Sequence, residues 1–363
     1  SNSGIVDQNP AIKRFLSATR ECTIATIRCQ ALDREKDLLW EPVQVARRIA
    51  QLCEQINPDN ILVDHVSFGS TLGVYATGRR FTTLVPGHPS QLPVGKERYG
   101  IPATWPACMQ PEPNALTDQE DITDRVTKTF TDRWNAALAI IAPTMSPVKD
   151  AFRVHGNQVL YNSSNHYHPF ERSPHLPIHH EFVGPLVRDE ELAKPFQQWL
   201  AQEPEKPLVY VALGTFLSHR ADVLSNIAIA LQQANVRVAM AIGASPMTAF
   251  ESLPVGWLIA PSLPQVALLG ECDLVIHHGG NNSVQEALAL GVRQIILRFS
   301  TDQFANAADL ERTGQATVIS PNHICTTSFA QVVKVTLTLP EPKPIMAQSC
   351  ATLARILRTP IEA

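Results

Sequence analysis

At 363 residues, 44% apolar and 18% charged, the chain is long enough for two hydrophobic cores and has an ordinary globular composition. Its formal net charge of −4, with no dense Lys/Arg tract, excludes a protein that follows nucleic acid or clings to an anionic membrane by charge. Seven scattered cysteines without a C-x-x-C pair argue against a disulfide framework or a structural zinc site, and no run approaches the ~18 apolar residues of a membrane span. No signal peptide is visible, so a soluble, cytoplasmic protein is the expectation; oligomeric state is left open.

The first 35 or so residues show no clean periodicity and read as an irregular entry. A helix is expected from about Trp40 to Ile56, with Pro42 in its first turn and Val45, Ile49, Leu52, Cys53 and Ile56 on one face. Asn57-Pro58-Asp59-Asn60 stops it. Ile61-Leu62-Val63 then reads as a short buried strand ending at Asp64-His65, and Phe81–Val85 as another. Residues 86–120 are rich in proline and polar groups and read as a long surface excursion over the strand ends. A helix from about Asp121 to Ala142 and a strand at Gln158–Asn162 follow. Residues 184–205 read as the connection between an N-terminal domain (1–183) and a second domain (206–340).

In the second domain the alternation is clearer. Strands are expected near Leu208, Val236, Trp257, Leu274, Gln294 and Ala316, with helices at Asp222–Ala234, Pro264–Leu269, Asn282–Leu290 and Asp302–Thr313. Six strands alternating with helices imply a doubly wound parallel sheet. A terminal helix is expected within 341–363, from about Ile345 to Leu357. The fold class is α/β.

The run His277-His278-Gly279-Gly280-Asn281-Asn282-Ser283 follows the strand Leu274-Val275-Ile276. Two glycines at a strand-to-helix turn let backbone approach a ligand. Asn281, Asn282 and Ser283 then open a helix whose free N–H groups and dipole favour a phosphate. The physical reading is a diphosphate site at the C-terminal edge of a parallel sheet; a purely structural Gly-Gly turn is the alternative.

Downstream, His278-Gly-Gly-x-x-Ser-x-x-Glu-Ala-Leu-x-x-Gly291-Val292 and then Asp302-Gln303-x-x-Asn306-Ala307 resemble the donor signature of the UDP-glycosyltransferase superfamily, most closely its bacterial branch acting on macrolides and similar natural products. Pro264-Gln265-x-x-Leu268-Leu269 and Gly214-Thr215 match further parts of that signature. The resemblance implies two Rossmann-like domains facing across a cleft (GT-B), an inverting, metal-independent reaction and no cofactor, the nucleotide-sugar being a co-substrate. It implies that His278, the amides of Gly279 through Ser283, and Thr215 hold the diphosphate. Glu286 would bind ribose, the loop from Leu263 to Gln265 would face the base, and Asp302 and Gln303 would bind the transferred sugar. The partners implied are a UDP- or TDP-sugar and a hydrophobic small-molecule acceptor. Alternatives remain a solvated helix position for Glu286 and a helix cap for Asp302.

The sequence departs from the family at three places. Ser262 stands where a base-stacking Trp is common, and Arg293 and Arg298 stand where prolines are usual; Arg298 reads as an exposed charge, a reach to donor or acceptor being its alternative. In the family a general-base His follows the first strand and an Asp orients it. Asp64 matches that Asp, a turn carboxylate being its alternative, but no His precedes His65. By that layout the N-terminal domain is expected to lack its first strand and helix, the sequence being a fragment; a protein that does without that base is the alternative. His65 should point away from Asp64 by strand alternation. His88, on the loop after Val85, is the acceptor-side candidate. His166, His168, His175, His179 and His180 lack carboxylate or Cys partners at ligand spacing, so no metal site is expected. The competing function is a non-catalytic sugar-nucleotide binder acting as partner or sensor.

Overall fold

The computed structural model describes residues 10–345. The terminal helix expected within 341–363 lies almost wholly outside them.

The chain begins with two helices, α1 (Pro10–Glu21) and α2 (Thr23–Asp37), which corrects the expectation of an irregular entry. The signal was present: Ile12, Phe15, Leu16 and Thr19 recur at helical spacing, and Ile24, Ile27 and Ala31 of α2 are buried. Next come α3 (Pro42–Ile56), β1 (Leu62–Asp64), α4 (Phe68–Ala76), β2 (Thr82–Val85), α5 (Pro113–Ile141), β3 (Gln158–Tyr161) and β4 (His180–Phe182). Pro42 sits at the start of α3, and Asn57 ends it in the left-handed region at φ 45°. Helix α5 starts well before Asp121 because Pro113 can open a helix at no hydrogen-bond cost.

Then follow α6 (Lys194–Leu200), β5 (Leu208–Ala212), α7 (Gly214–Leu217), α8 (Ala221–Ala234), β6 (Arg237–Ala241), β7 (Leu258–Ala260), α9 (Gln265–Leu269), β8 (Leu274–His277), α10 (Asn281–Leu290), β9 (Arg293–Leu297), α11 (Thr301–Arg312), β10 (Ala316–Ile319) and α12 (Thr326–Thr338).

The chain divides into two compact units. One holds Ile24–Ala103 and Pro111–Gly184. Its four strands lie in the order β1-β2-β3-β4, all parallel. Phe152 stacks between Tyr99 and Phe130, ring centroids 4.1 Å away on either side, under the buried Trp134. Tyr99 comes from the segment expected to be a surface excursion. That expectation is corrected: Leu92 and Val94 are buried, and the buried Arg172 pins the segment through Glu97 (2.5 and 2.9 Å) and the carbonyls of Pro89 and Leu92. Proline and polar residues here satisfy one another inside the fold.

The other unit gathers the described residues up to Thr23, the short segment Thr104–Gln110, and the residues from Pro185 onward. Its six parallel strands run β7-β6-β5-β8-β9-β10 across the sheet. All five residues of β5 are buried, as a central parallel strand covered on both faces requires. Burying each such valine or leucine contributes about 1.5–3 kcal/mol. Helix α1 is fastened to this unit by the buried Arg220, which donates to Thr19 O (3.2 Å) and Oγ1 (3.1 Å) while pairing with Asp222.

Candidate functional site

Numbered by order within the six-stranded unit, its strands read 3-2-1-4-5-6, with the direction of winding reversing between β5 and β8. Loops leaving adjacent strand ends diverge at such a reversal and leave a crevice. The loop after β5 carries Gly214-Thr215, and the loop after β8 carries His278-Gly279-Gly280.

Both turns depend on glycine. Gly214 lies at φ +73° and Gly279 at φ +83°, where a side chain is strained. A Cβ on Gly279 would come 2.8 Å from Ile296 Cγ2, and one on Gly280 would come 2.5 Å from His278 Nε2. Gly280 opens α10 with no side-chain cap, and Asn282 is exposed, so that helix start can receive an anion.

Two histidines serve this turn differently. His277, to which sequence reasoning gave no role, is buried. Its Nδ1 accepts from Gly279 N (3.2 Å), which puts the ring proton on Nε2, where it donates to Gln294 Oε1 (3.0 Å). Burial pushes it down to about 3, so it stays neutral and holds the turn. His278 lies across the mouth, its Cε1 3.1 Å from where a Cβ on Gly214 would be. Its Nδ1 is sealed with no hydrogen-bond partner among the described residues, which favours the proton on Nε2. Burial lowers His278 to about 4; it can act there as a neutral donor.

The helix starting at Thr301 lies beside this turn. Asn306, wholly buried, donates to Gly279 O (3.0 Å), and a Cβ on Gly279 would stand 3.6 Å from Gln303 Cβ. The N-cap is Ser300, not Asp302, and Gln303 Oε1 accepts from Phe299 N (2.9 Å) and Ser300 N (3.1 Å) in a capping box. The sugar role expected for Gln303 is therefore narrowed: its carbonyl is committed to the backbone and only its amide NH2 remains. Asp302 is partly exposed in the first turn.

A cavity of about 410 Å³ opens alongside, lined by Tyr210, Gly214, Thr215, Phe216, His219, Ser262, Leu263 and Gln265 among others. At its edge Gln265 Nε2 donates to Glu286 Oε2 (2.5 Å) and approaches Ser283 Oγ (3.3 Å). Burial raises the Glu286 carboxyl above its ordinary range. Gln265 is itself set by Glu190, whose Oε2 accepts from Val266 N (2.9 Å) and Ala267 N (3.3 Å). Sequence reasoning missed Glu190 because it lies in the segment read as linker.

Thus Thr215, Leu263, Gln265, His278, Gly279 through Ser283, Glu286, Asp302 and Gln303 all belong to one unit, around the reversal in strand order.

In the other unit, Asp64 is exposed at the C-terminal end of β1, and its Oδ1 accepts from Val66 N (2.9 Å), closing a turn. His65 points the other way, buried against Gln91 O (2.9 Å) and lowered by burial to about 4. The acceptor-side expectation for His88 is corrected: it is buried, and its Nδ1 accepts from Ser90 N (3.1 Å). Arg298, expected to be exposed, is wholly buried. Among the described residues no cluster of His, Cys, Asp or Glu could hold a metal ion, and no helix is long and apolar enough to cross a membrane.

Strand order and paired glycine turns define a doubly wound α/β protein with a crevice at the reversal. The model of the UDP-glucoronosyl and UDP-glucosyl transferase family matches residues 122–351, and the chain belongs to that family. The uncharacterized UDP-glucosyltransferase YdhE of Bacillus subtilis (strain 168) is 30% identical over 156 residues, 42% of this chain but only 38% of that protein. The fold is the GT-B fold of solved glycosyltransferases. The glycotransferase of kitacinnamycin matches with a TM-score of 0.62 at 16% identity, covering 87% of this chain and 75% of that one. The glycosyltransferase VinC, solved in complex with DTDP, matches at 0.57 and 18% identity, covering 88% and 73%.

Proposed function

We propose that this chain takes part in inverting glycosyl transfer, moving a hexose or deoxyhexose from a UDP- or TDP-sugar to a hydroxyl of a hydrophobic, natural-product-like small molecule. The observation that carries this reading is the uncapped start of α10 behind Gly279-Gly280, with the start of α11 packed against the same turn. The acceptor oxygen bonds to the anomeric carbon as the bond from that carbon to the diphosphate oxygen breaks. The electron pair leaves on the diphosphate, so negative charge grows there. The amides of Asn281 through Ser283, His278 Nε2–H and Thr215 are disposed to stabilise that charge without reorganising. Glu286 and Gln265 take the ribose, the loop from Leu263 to Gln265 the base, and Asp302 with the Gln303 amide the sugar hydroxyls. In the family's layout a histidine after the first strand accepts the hydroxyl proton; this sequence holds no match for it, and Asp64 is the residue that would orient it. Structures solved with TDP-type ligands, such as that of VinC, support a nucleoside diphosphate here.

A second reading, binding of the sugar-nucleotide without turnover, is favoured by one observation. His65 and His88, on the loops after β1 and β2, are both buried and hydrogen-bonded. Calorimetry with UDP, TDP and their glucose conjugates, followed by a donor-hydrolysis assay, separates the two. Binding with hydrolysis supports transfer, binding without it supports the second reading, and no binding refutes both.

A further inference from the structure

Seven residues, Thr104–Gln110, group with the six-stranded unit although the chain on both sides of them belongs to the other. They lie along α11, the helix whose first turn carries Asp302 and Gln303. The Trp105 ring packs on the wholly buried Phe304, centroids 5.5 Å apart. Thr104 Oγ1 meets Asp309 Oδ1 (3.4 Å), and Ala107 N donates to Glu311 Oε2 (2.8 Å). The segment thus follows α11 for two turns.

Its far end is held by the chain's most unexpected buried charge. Arg298 leaves β9 two residues before the Ser300 cap. Its Nη1 donates to Ile319 O (2.7 Å) and its Nη2 to Cys108 Sγ (3.1 Å). Its Nε has no hydrogen-bond partner among the described residues. Burying a guanidinium with no carboxylate in contact is costly, and a proline or an aliphatic residue would avoid the cost. What Arg298 gains is a brace between the β9–α11 turn, the end of β10 and the strap.

We infer that Arg298 and the 104–110 strap are positioning elements for the sugar-binding end of α11, an inference that rests on the transferase reading above. The brace fixes where the Ser300–Gln303 turn begins, and the strap fixes the body of the helix behind it. The diphosphate-type turn at His277–Gly280 has its own support in His277 and Gln294, beside the bond it receives from Asn306, further along α11 than the braced first turn. Loosening the brace therefore weakens the grip on the sugar and spares the grip on the nucleotide.

The test is calorimetry of Trp105→Ala, Arg298→Met and Arg298→Lys with TDP and UDP and with TDP-glucose and UDP-glucose. In the first two variants the preference for the glucose conjugate over the bare diphosphate should fall about tenfold, the scale of one lost buried hydrogen bond. Affinity for the bare diphosphate should stay within about twofold, well under that loss. Arg298→Lys, which keeps a donor for one of the two partners, should recover part of the preference. If Arg298→Met does not fold, Trp105→Ala carries the same comparison, since its ring is only partly buried. A preference identical in wild type and variants, or an equal fall for both ligands, overturns the inference while leaving the donor site standing. A wild-type chain that binds neither diphosphate removes both.

Discussion

The two sheets of this protein are built from the same parallel grammar and present different chemistry. In the four-stranded sheet each strand is laid beside the last, β1-β2-β3-β4, and the loops after β1 and β2 are filled by side chains: His65 on Gln91, His88 under Ser90. In the six-stranded sheet the order turns back at β5 and β8, and the loops there are stripped to glycine. The difference teaches where each ligand contact would come from. One unit offers backbone amides held by buried neighbours. The other offers an exposed carboxylate, Asp64, at the C-terminal end of β1.

The contrast breaks first at Gly279. Gly279→Ala places a Cβ at φ +83° and 2.8 Å from Ile296 Cγ2, a strain of about 1–3 kcal/mol before the ligand is considered. Titration with TDP or UDP should show affinity lower by roughly 100-fold, near the upper end of that strain. Asp64→Asn should do the reverse: turnover falls by about two orders of magnitude, the scale of general-base assistance, while diphosphate affinity is unchanged. Steady-state kinetics beside calorimetry would expose a shared effect, which would end the division of labour.

Acid sharpens the comparison, because each unit buries a neutral histidine. His65 falls to about 4 and His277 to about 3, both because burial disfavours the charged ring. Between pH 6.5 and those values the unfolded chain binds more protons than the folded one. Stability is therefore full above about pH 6.5 and declines as the pH drops, by about 2 kcal/mol for each ring at pH 5. His65→Gln and His277→Gln should each flatten part of that decline in thermal melts. Only His277→Gln should also impair diphosphate binding.

Smaller effects belong to the ribose edge. Glu286→Ala should raise the donor KM about tenfold, one lost charged hydrogen bond. Glu190→Gln, which retains a carbonyl for the Val266 and Ala267 amides, should raise it about threefold and leave kcat alone, as expected for a group that acts through Gln265. Initial-rate measurements over a range of donor concentrations check both.

The six-stranded unit was nearly legible from sequence, because central parallel strands are continuous apolar runs and each expected start falls within one residue of the observed one. The glycine turn was legible because only glycine reaches φ +83° without strain. What stayed hidden depends on partners far along the chain. The burial of Arg298 is set by Ile319 and Cys108, and the interior position of Leu92 and Val94 by Arg172 and Glu97. The capping role of Gln303 stayed hidden because a capping box and a ligand amide share one residue type. The missed helix Pro10–Glu21 shows an overlooked pattern, since Ile12, Phe15, Leu16 and Thr19 carry the period openly.

The most direct test is a crystal structure of the chain grown with TDP. It should show the β-phosphate within about 3 Å of the amides opening the helix at Asn281, with His278 Nε2 among its donors. A nucleotide lodged elsewhere, with that helix start left to solvent, would contradict the account.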